Sequence, residues 1–263
     1  MESARPEPAA PAQTNARQHA GAAYVGTSGW AYPIWKPVFY PKNVAAKNFL
    51  NYYATQLNAV EVNFTFRMRL QEKTALGWMA SVGPDFRFAL KANQFITHIR
   101  RLSNVEEPLQ RFLATLQPFG MQLGPVLFQL PPTLKCDVGL LRQFLSLLPK
   151  NFKSAFEFRH GSWFSEDVYT ALRDHKAALC ISETEKLTTP EVHTADYAYF
   201  RLREASYSPE DLKRIAARVE RVLGEGRETY VFFKHEEDPS SPLNAVELLK
   251  QVTGHADSGG RAV

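Results

Sequence analysis

The strongest constraint on this chain is an alternation of pattern, in which eight short β-rich runs alternate with seven stretches of helical periodicity and one degenerate connection. Tyr24–Thr27, Ala59–Asn63, Phe86–Lys91, Pro125–Gln129, Ser154–Arg159, Ala177–Ser182, Tyr197–Leu202 and Thr229–Lys234 read as strands. Asn48–Leu57, Gln71–Ala80, Pro108–Leu116, Gly139–Leu148, Ser165–His175, Pro209–Leu223 and Leu243–Val252 read as helices. Pro108 suits a first helical turn, Ser165 an N-cap with Asp167 behind it, and Gly224 a C-terminal cap. Pro131-Pro132 stops the fourth strand, because proline has no N–H to give a ladder. Only Glu183–Asp196, rich in Thr and Pro, is too short for a normal helix.

A spacing of about thirty residues per unit is what βαβ connections need. Eight units predict an α/β fold, a (β/α)8 TIM-barrel-like single domain spanning residues 23–253. The alternative is a doubly wound open sheet, which normally carries a Gly-rich phosphate turn after its first strand; Gly26-Thr27-Ser28-Gly29 lacks that spacing. Residues 1–22, rich in Ala, Pro and Gln, read as a disordered leader, and residues 254–263 as a disordered tail.

Composition narrows the functional classes. At 44% hydrophobic and 22% charged residues the chain can bury a large core, and no apolar run approaches the ~20 residues of a membrane span. The leader has no apolar segment and does not read as a secretory signal. Cys136 and Cys180 are the only cysteines, which fits a reducing, cytoplasmic setting and falls short of a thiolate metal site. The net charge of +4 is mild and gives little support for nucleic-acid binding by itself.

Barrels of this kind place their active sites at the C-terminal ends of the strands. Those ends here are Ser28, Glu61 with Asn63, Lys91, Gln129, Glu157 with Arg159 and His160, Glu183, Arg201, and Lys234 with His235. Apolar strand interiors with charged exits are the functional signal. In Ala155-Phe156-Glu157-Phe158-Arg159, period-two geometry turns Glu157 and Arg159 to one side. Either they form a buried ion pair helped by Glu61, or Glu157 is a general acid/base and Arg159 a bidentate anion clamp.

Lys91, at the end of an apolar strand, reads as an amine of lowered pKa if it points into the mouth, or as a snorkelling lysine paired with Glu61. Glu61 and Asn63 suit a water or sugar hydroxyl, or serve as interior fillers. His98, Arg100 and Arg101 occupy the longest loop, where function concentrates on a rigid scaffold. Arg201, Lys234 and His235 gather on the last strands, where many barrels hold phosphate. Trp30, Trp35 and Trp163, with Tyr32 and Tyr40, either stack on a ligand or pack the loops. Glu61, Glu157 and Glu183, with His98 or His235, have no diagnostic metal spacing and share the mouth with many cations. A divalent metal is therefore the lesser alternative to having no cofactor.

Several of these stretches together resemble one family. Gly26-Thr27-Ser28-Gly29-Trp30, Phe39-Tyr40-Pro41, Val60 to Phe66, Phe88-Ala89-Leu90-Lys91, Ile96-Thr97-His98, Gly124 to Pro132 and Glu157 to Trp163 follow, in order, the pattern of the domain-of-unknown-function 72, or YecE-like, proteins. The resemblance runs from about Tyr24 to Val252 and implies a TIM-barrel-like fold without supplying a reaction. The chain departs from the family's pattern in Arg201-Leu202-Arg203-Glu204, where Arg-Leu-His-Gly is usual. It also has Glu183 in place of an Asp, and Phe232-Phe233-Lys234-His235-Glu236-Glu237 in place of an Asn-containing form.

These readings predict an enzyme performing metal-independent acid/base chemistry (hydrolase, lyase or isomerase) on a small anionic ligand such as a phosphorylated sugar or nucleotide. Glu157, Lys91 and Glu61 would be catalytic. Ser28, Asn63, His98, Arg100, Gln129, Arg159, His160, Trp163, Arg201, Lys234 and His235 would bind substrate. The alternatives are a nucleic-acid-binding or nucleic-acid-processing barrel, and a non-catalytic ligand-binding scaffold.

Overall fold

The computed structural model describes residues 21–183, 187–204, 206–234 and 238–257. Residues 1–20 of the expected leader and 258–263 of the expected tail lie outside the described residues. Gly21 and Ala22, read as leader, are tied into the domain: Gly21 N donates to Leu223 O at 3.0 Å and Ala22 O accepts from Thr229 N at 2.9 Å.

Eight strands form one sheet: β1 (Ala23–Thr27), β2 (Ala59–Val62), β3 (Arg87–Lys91), β4 (Leu123–Gln129), β5 (Ser154–Glu157), β6 (Ala178–Ser182), β7 (Tyr197–Leu202) and β8 (Glu228–Phe233). Every pairing between them is parallel, and the order runs β1-β8-β7-β6-β5-β4-β3-β2. Between them lie α1 (Phe49–Tyr53), α2 (Phe64–Arg67), α3 (Glu72–Met79), α4 (Glu106–Ala114), α5 (Val138–Ser146), α6 (Glu166–Asp174) and α7 (Pro209–Gly224), with α8 (Ser240–Asp257) last. The arrangement is a (β/α)8, TIM-barrel-like fold. No described helix is long and apolar enough to cross a membrane.

The sheet closes on itself at the β1–β2 seam, where backbone pairing is reduced to one parallel bridge, Ser28–Glu61. Side chains complete the seam. Asn58 Oδ1 accepts from Val25 N at 2.8 Å while its Nδ2 donates to Ala23 O at 2.8 Å. The Tyr53 hydroxyl accepts from Thr27 N at 2.8 Å and donates to Ala59 O at 3.0 Å. Asn58 and Tyr53 thus satisfy backbone groups that a regular ladder would otherwise pair.

Two apolar cores follow from the period-two alternation of the strands. The outer core lies between sheet and helices. The inner one fills the barrel, and it is lopsided: Ala59, Ala89, Ala155 and Ala178 on β2, β3, β5 and β6 face Tyr199, Tyr230 and Phe232 on β7 and β8. Small residues on one wall make room for large rings from the other, so the interior is packed rather than open.

Local differences from the sequence reading have identifiable causes. β2 and β5 end early, leaving Asn63 and Phe158-Arg159 beyond them; Asn63 has helical backbone angles (φ −84°, ψ −13°) and precedes the extra turn α2. The long loop holding Thr97 and His98 contains a π-helical turn, Phe95–Ile99, closed by Arg100 N donating to Phe95 O at 2.8 Å, with Ile96 and Thr97 buried. The first helix shortens to α1 behind a 3₁₀ turn, and the last extends through Gly254 to Asp257. Ser165 stands at the N-cap of α6 without a side-chain cap bond. Gly224 is the last residue of α7, and Gly226 takes the left-handed conformation (φ 79°) that ends it.

Gly26 marks the tightest approach in the seam: a Cβ there would lie 1.9 Å from Ala59 O. Gly26→Ala is expected to lower stability by about 3 kcal/mol or more in denaturant unfolding, because the clash is with backbone. Gly77, in exposed α3, has nothing within 4 Å of its would-be Cβ. Gly77→Ala should raise stability by about 0.5–1 kcal/mol. A well-tolerated Gly26→Ala would contradict the close seam.

Candidate functional site

The C-terminal end of the barrel is organised around Arg201. This β7 residue is fully buried, at 0% exposure, and spans the interior. Its Nη2 donates to Glu61 Oε1 on β2 at 2.7 Å, and its Nη1 to Glu157 Oε2 on β5. Glu61 is held further by Ser28 Oγ (2.8 Å to Oε1) and the Tyr199 hydroxyl (2.8 Å to Oε2). Glu157 receives Arg159 Nε at 2.9 Å and Arg203 Nη1 at 3.2 Å on Oε1, and Gln129 Nε2 at 2.8 Å on Oε2. Strand register explains part of this: Gln129 pairs with Glu157, and Ser182 with Arg201, so their side chains share the inner face.

Burial alone would raise the carboxyl pKa of Glu157, but Arg201, Arg159 and Arg203 outweigh it and hold the group well below the usual carboxylate range. Glu61, also driven up by burial, is pulled down by Arg201, Ser28 and Tyr199. Both stay ionised at physiological pH, and a carboxylate so stabilised is a weak base. In these surroundings Glu157 is an ionised counter-ion to Arg201, Arg159 and Arg203.

Lys91, at the end of β3, is 8% exposed. Its Nζ donates to Gln129 Oε1 at 2.9 Å and sits 4.1 Å from the centre of the Phe66 ring. Burial and the nearby Arg201 bring its pKa down from 10.5 to about 8, against the opposing pull of Glu61 and Glu157. His98 stands half-buried beside it, edge-on to Phe66 at 5.0 Å, with Nδ1 2.9 Å from Thr97 Oγ1. Burial, Lys91 and Arg159 lower the His98 pKa and favour neutral imidazole. Lys91, at about 8, is the group of this pair brought toward neutrality.

The strand-end residues Ser28, Glu61, Lys91, Gln129, Glu157, Arg159 and Arg201 come together in this one network. Asn63 adjoins it, two residues past Glu61. Lys234 follows β8, half-buried, with its N bonded to Leu202 O at 2.8 Å. His235 lies outside the described residues.

Three candidates are not brought in. Trp163 is wholly buried, stacks on Phe158 at 4.7 Å and donates to Leu134 O, so it packs loops and offers no face to a ligand. His160 uses Nδ1 to cap its own turn, accepting from Ser162 N at 3.1 Å. Arg100 is exposed and lies over the Phe95 ring.

Two participants escaped the sequence reading. Tyr199 was recognisable only as an apolar strand residue, although its place two before Arg201 puts it on the same inner face. Arg203 appeared only as a departure from a family pattern. Glu183 turns away: its Oε1 accepts from Arg218 Nη1 of α7 at 2.6 Å. The three glutamates considered as metal ligands therefore do not converge, and among the described residues no three His, Cys, Asp or Glu gather to hold a metal ion.

Comparison with known proteins agrees with this architecture. Residues 24–261 match the family model described as Protein of unknown function DUF72. The UPF0759 protein YecE of Escherichia coli K12 is 28% identical over 144 residues, covering 54% of this chain and 50% of its own length. The UPF0759 protein YunF of Bacillus subtilis 168 is 29% identical over 155 residues, or 56% and 54%. These alignments thus span about half the length of either relative. A crystal structure of a DUF72 family protein from Thermotoga maritima MSB8 superposes with a TM-score of 0.79 at 30% identity, covering 88% of this chain and 99% of the other. Another, from Enterococcus faecalis V583, has a TM-score of 0.70 at 18% identity, covering 90% and 99%, and shares the fold.

The ion network sets two expectations. Glu157→Gln leaves three guanidinium groups facing a neutral amide and should cost roughly 3–5 kcal/mol. Because the folded carboxyl pKa lies below its ordinary 4.5, this stabilisation is present above that pH and lost as pH falls through the folded value. Wild-type stability should therefore fall more steeply in acid than that of the variant; parallel acid profiles would contradict the network. Lys91 has the opposite sign. Between pH 8 and 10.5 the folded amine is neutral while the unfolded one binds a proton, so its contribution rises with pH. Lys91→Met should be more stable than wild type at pH 7, with the gap closing by pH 10; a constant gap would show an unperturbed lysine.

Proposed function

The chain belongs to the DUF72 family, and on that footing we propose that its barrel mouth binds a small anionic ligand and carries out acid/base chemistry on it. The observation that supports this reading is a surplus of positive charge among the described residues of the mouth. Lys91, Arg159, Arg201 and Arg203 surround two carboxylates, Glu61 and Glu157, at one end of the barrel. Among the described residues, four cations here face two anions, with Lys91 and Arg201 buried and Arg159 and Arg203 part-exposed, and a bound anion would balance that excess.

The roles divide by exposure. Arg201 is enclosed and engaged by both carboxylates, so it holds the frame. Arg159 has 31% of its side chain exposed and presents a guanidinium edge suited to phosphate or carboxylate oxygens, with Arg203, 20% exposed, on the same Glu157 oxygen. Lys91, with an amine near pKa 8, is the group that moves a proton to or from the bound ligand, and His98 stands next to it. Gln129 fixes the Lys91 amine from one side, the Phe66 ring from the other. Hydrolase, lyase and isomerase reactions all fit such a set.

The test is a thermal-shift titration of the purified protein with inorganic phosphate, ribose 5-phosphate and small dicarboxylates. A ligand at a hundred times its Kd adds ~2.7 kcal/mol. Stabilisation by one of these anions is expected in wild type, lost in Arg159→Ala and retained in Lys91→Met. Where turnover of a bound compound is found, its rate should rise with an apparent pKa near 8 that disappears in Lys91→Met. No stabilisation by any anion, or stabilisation undiminished by Arg159→Ala, would overturn the reading.

A further inference from the structure

Lys91 ends β3 with fewer partners than an ammonium group needs. Its Nζ donates to Gln129 Oε1 at 2.9 Å and lies 4.1 Å from the centre of the Phe66 ring. Among the described residues the amine makes no further hydrogen bond and no ion pair. An ammonium carries three N–H donors, whereas a neutral amine carries two and a lone pair. One amide oxygen and one ring face therefore match the neutral amine, whose tetrahedral lone pair points away from both. The residue keeps 8% exposure, so it is nearly but not wholly closed off.

The Gln129 amide has one workable orientation. It gives its oxygen to the Lys91 donor and its Nε2 to Glu157 Oε2 at 2.8 Å; reversed, it would set like against like at both ends. Gln129 thus stands between amine and carboxylate and keeps Lys91 out of the ion pair that would hold it protonated. Glu157 in turn accepts from Arg159 Nε at 2.9 Å, so the amine and this part-exposed guanidinium are two side chains apart. Burial, Arg201 and Arg159 outweigh Glu61 and Glu157 and bring the Lys91 pKa to about 8. At pH 7 such an amine is about one-tenth neutral, against roughly one part in three thousand for an ordinary lysine at 10.5.

We propose that Lys91 is a nucleophile that condenses with the carbonyl group of a short anionic aldehyde or ketone to form an imine, while Arg159 holds the ligand's phosphate or carboxylate. This rests on the anion-binding reading above and adds to it the reacting group of the ligand. The amine lone pair adds to the carbonyl carbon, and a proton passes from nitrogen to oxygen. The carbinolamine then expels that oxygen as water while the C=N bond forms, and the nitrogen takes one proton from solvent. The protonated imine fits the same surroundings: its single N–H meets Gln129 Oε1, and its planar cation meets the Phe66 face. A lysine that only paired with an anion would gain from staying protonated, which this arrangement opposes.

The test is reductive trapping. The purified protein is incubated at pH 7 with glyoxylate, pyruvate, glyceraldehyde 3-phosphate or uncharged acetaldehyde, each with sodium cyanoborohydride, and adducts are located by peptide mass spectrometry. Hydride reduces the imine to a stable secondary amine. With at least one anionic carbonyl, Lys91 should be labelled about ten-fold or more faster than the chain's other lysines. That preference should exceed the one seen with acetaldehyde, and the excess should be lost in Arg159→Ala. In Lys91→Met the fast adduct should vanish while stabilisation by phosphate or dicarboxylate persists, which separates the two readings. Anion stabilisation without a preferred adduct at Lys91 would overturn the nucleophile and leave the anion site standing. Equal preference with acetaldehyde and the anionic carbonyls would overturn the ligand class. Neither an adduct nor stabilisation by any anion would remove both.

Discussion

One buried guanidinium ties this barrel together at the C-terminal end of its strands. Arg201 issues from β7, donates to Glu61 on β2 and Glu157 on β5, and is wholly shut off from water. Three strands distant in the sheet are linked through one planar, two-armed group. The fork geometry matters, because a lysine at this position would offer a point charge to two carboxylates on different walls. Such a buried triad need not stabilise the fold more than apolar packing would. What it fixes is the position of the two carboxylates, and through Glu157 the positions of Gln129, Arg159 and Arg203. Lys91 is located in turn by Gln129.

The lopsided interior makes that arrangement possible. Alanines at 59, 89, 155 and 178 leave space along one wall, and rings at 199, 230 and 232 fill it from the other. The last of those rings below Arg201 is Tyr199, whose hydroxyl reaches Glu61. Packing below and ion pairing above therefore meet in a single residue, and the polar layer rests on a filled floor that keeps water from rising beneath it. In such a layer each hydrogen bond to a charged group counts for more than it would at the surface.

The fold was legible because the period of the sequence changes from two to 3.6 residues seven times, a signal that survives boundary errors of a few positions. The site was legible for the same reason: strands alternate, so Glu61, Lys91, Gln129, Glu157 and Arg201 had to share the inner face once their strands were recognised. The protonation states were not legible. Whether Glu157 is a base or a counter-ion depends on how many cations reach it, and two of its three arginines arrive from β7 and the residue following that strand. The seam was hidden too, since Asn58 and Tyr53 act there through side-chain bonds to backbone that no periodicity encodes. Trp163 misled because aromatic residues at strand exits look alike whether they face ligand or core.

Arg203 shows how one residue redistributes chemistry across the mouth. The family resemblance leads to histidine at this place; the chain has a guanidinium whose Nη1 lies 3.2 Å from Glu157 Oε1. An imidazole there would be neutral for part of the physiological range and able to exchange a proton. A guanidinium does neither, and it brings a third permanent positive charge to Glu157. The carboxylate is thereby more firmly ionised and the mouth more cationic. Across the mouth, Lys91 and His98 have pKa values lowered first by burial, with Arg201 and Arg159 adding to the effect on Lys91, and Lys91 and Arg159 to that on His98.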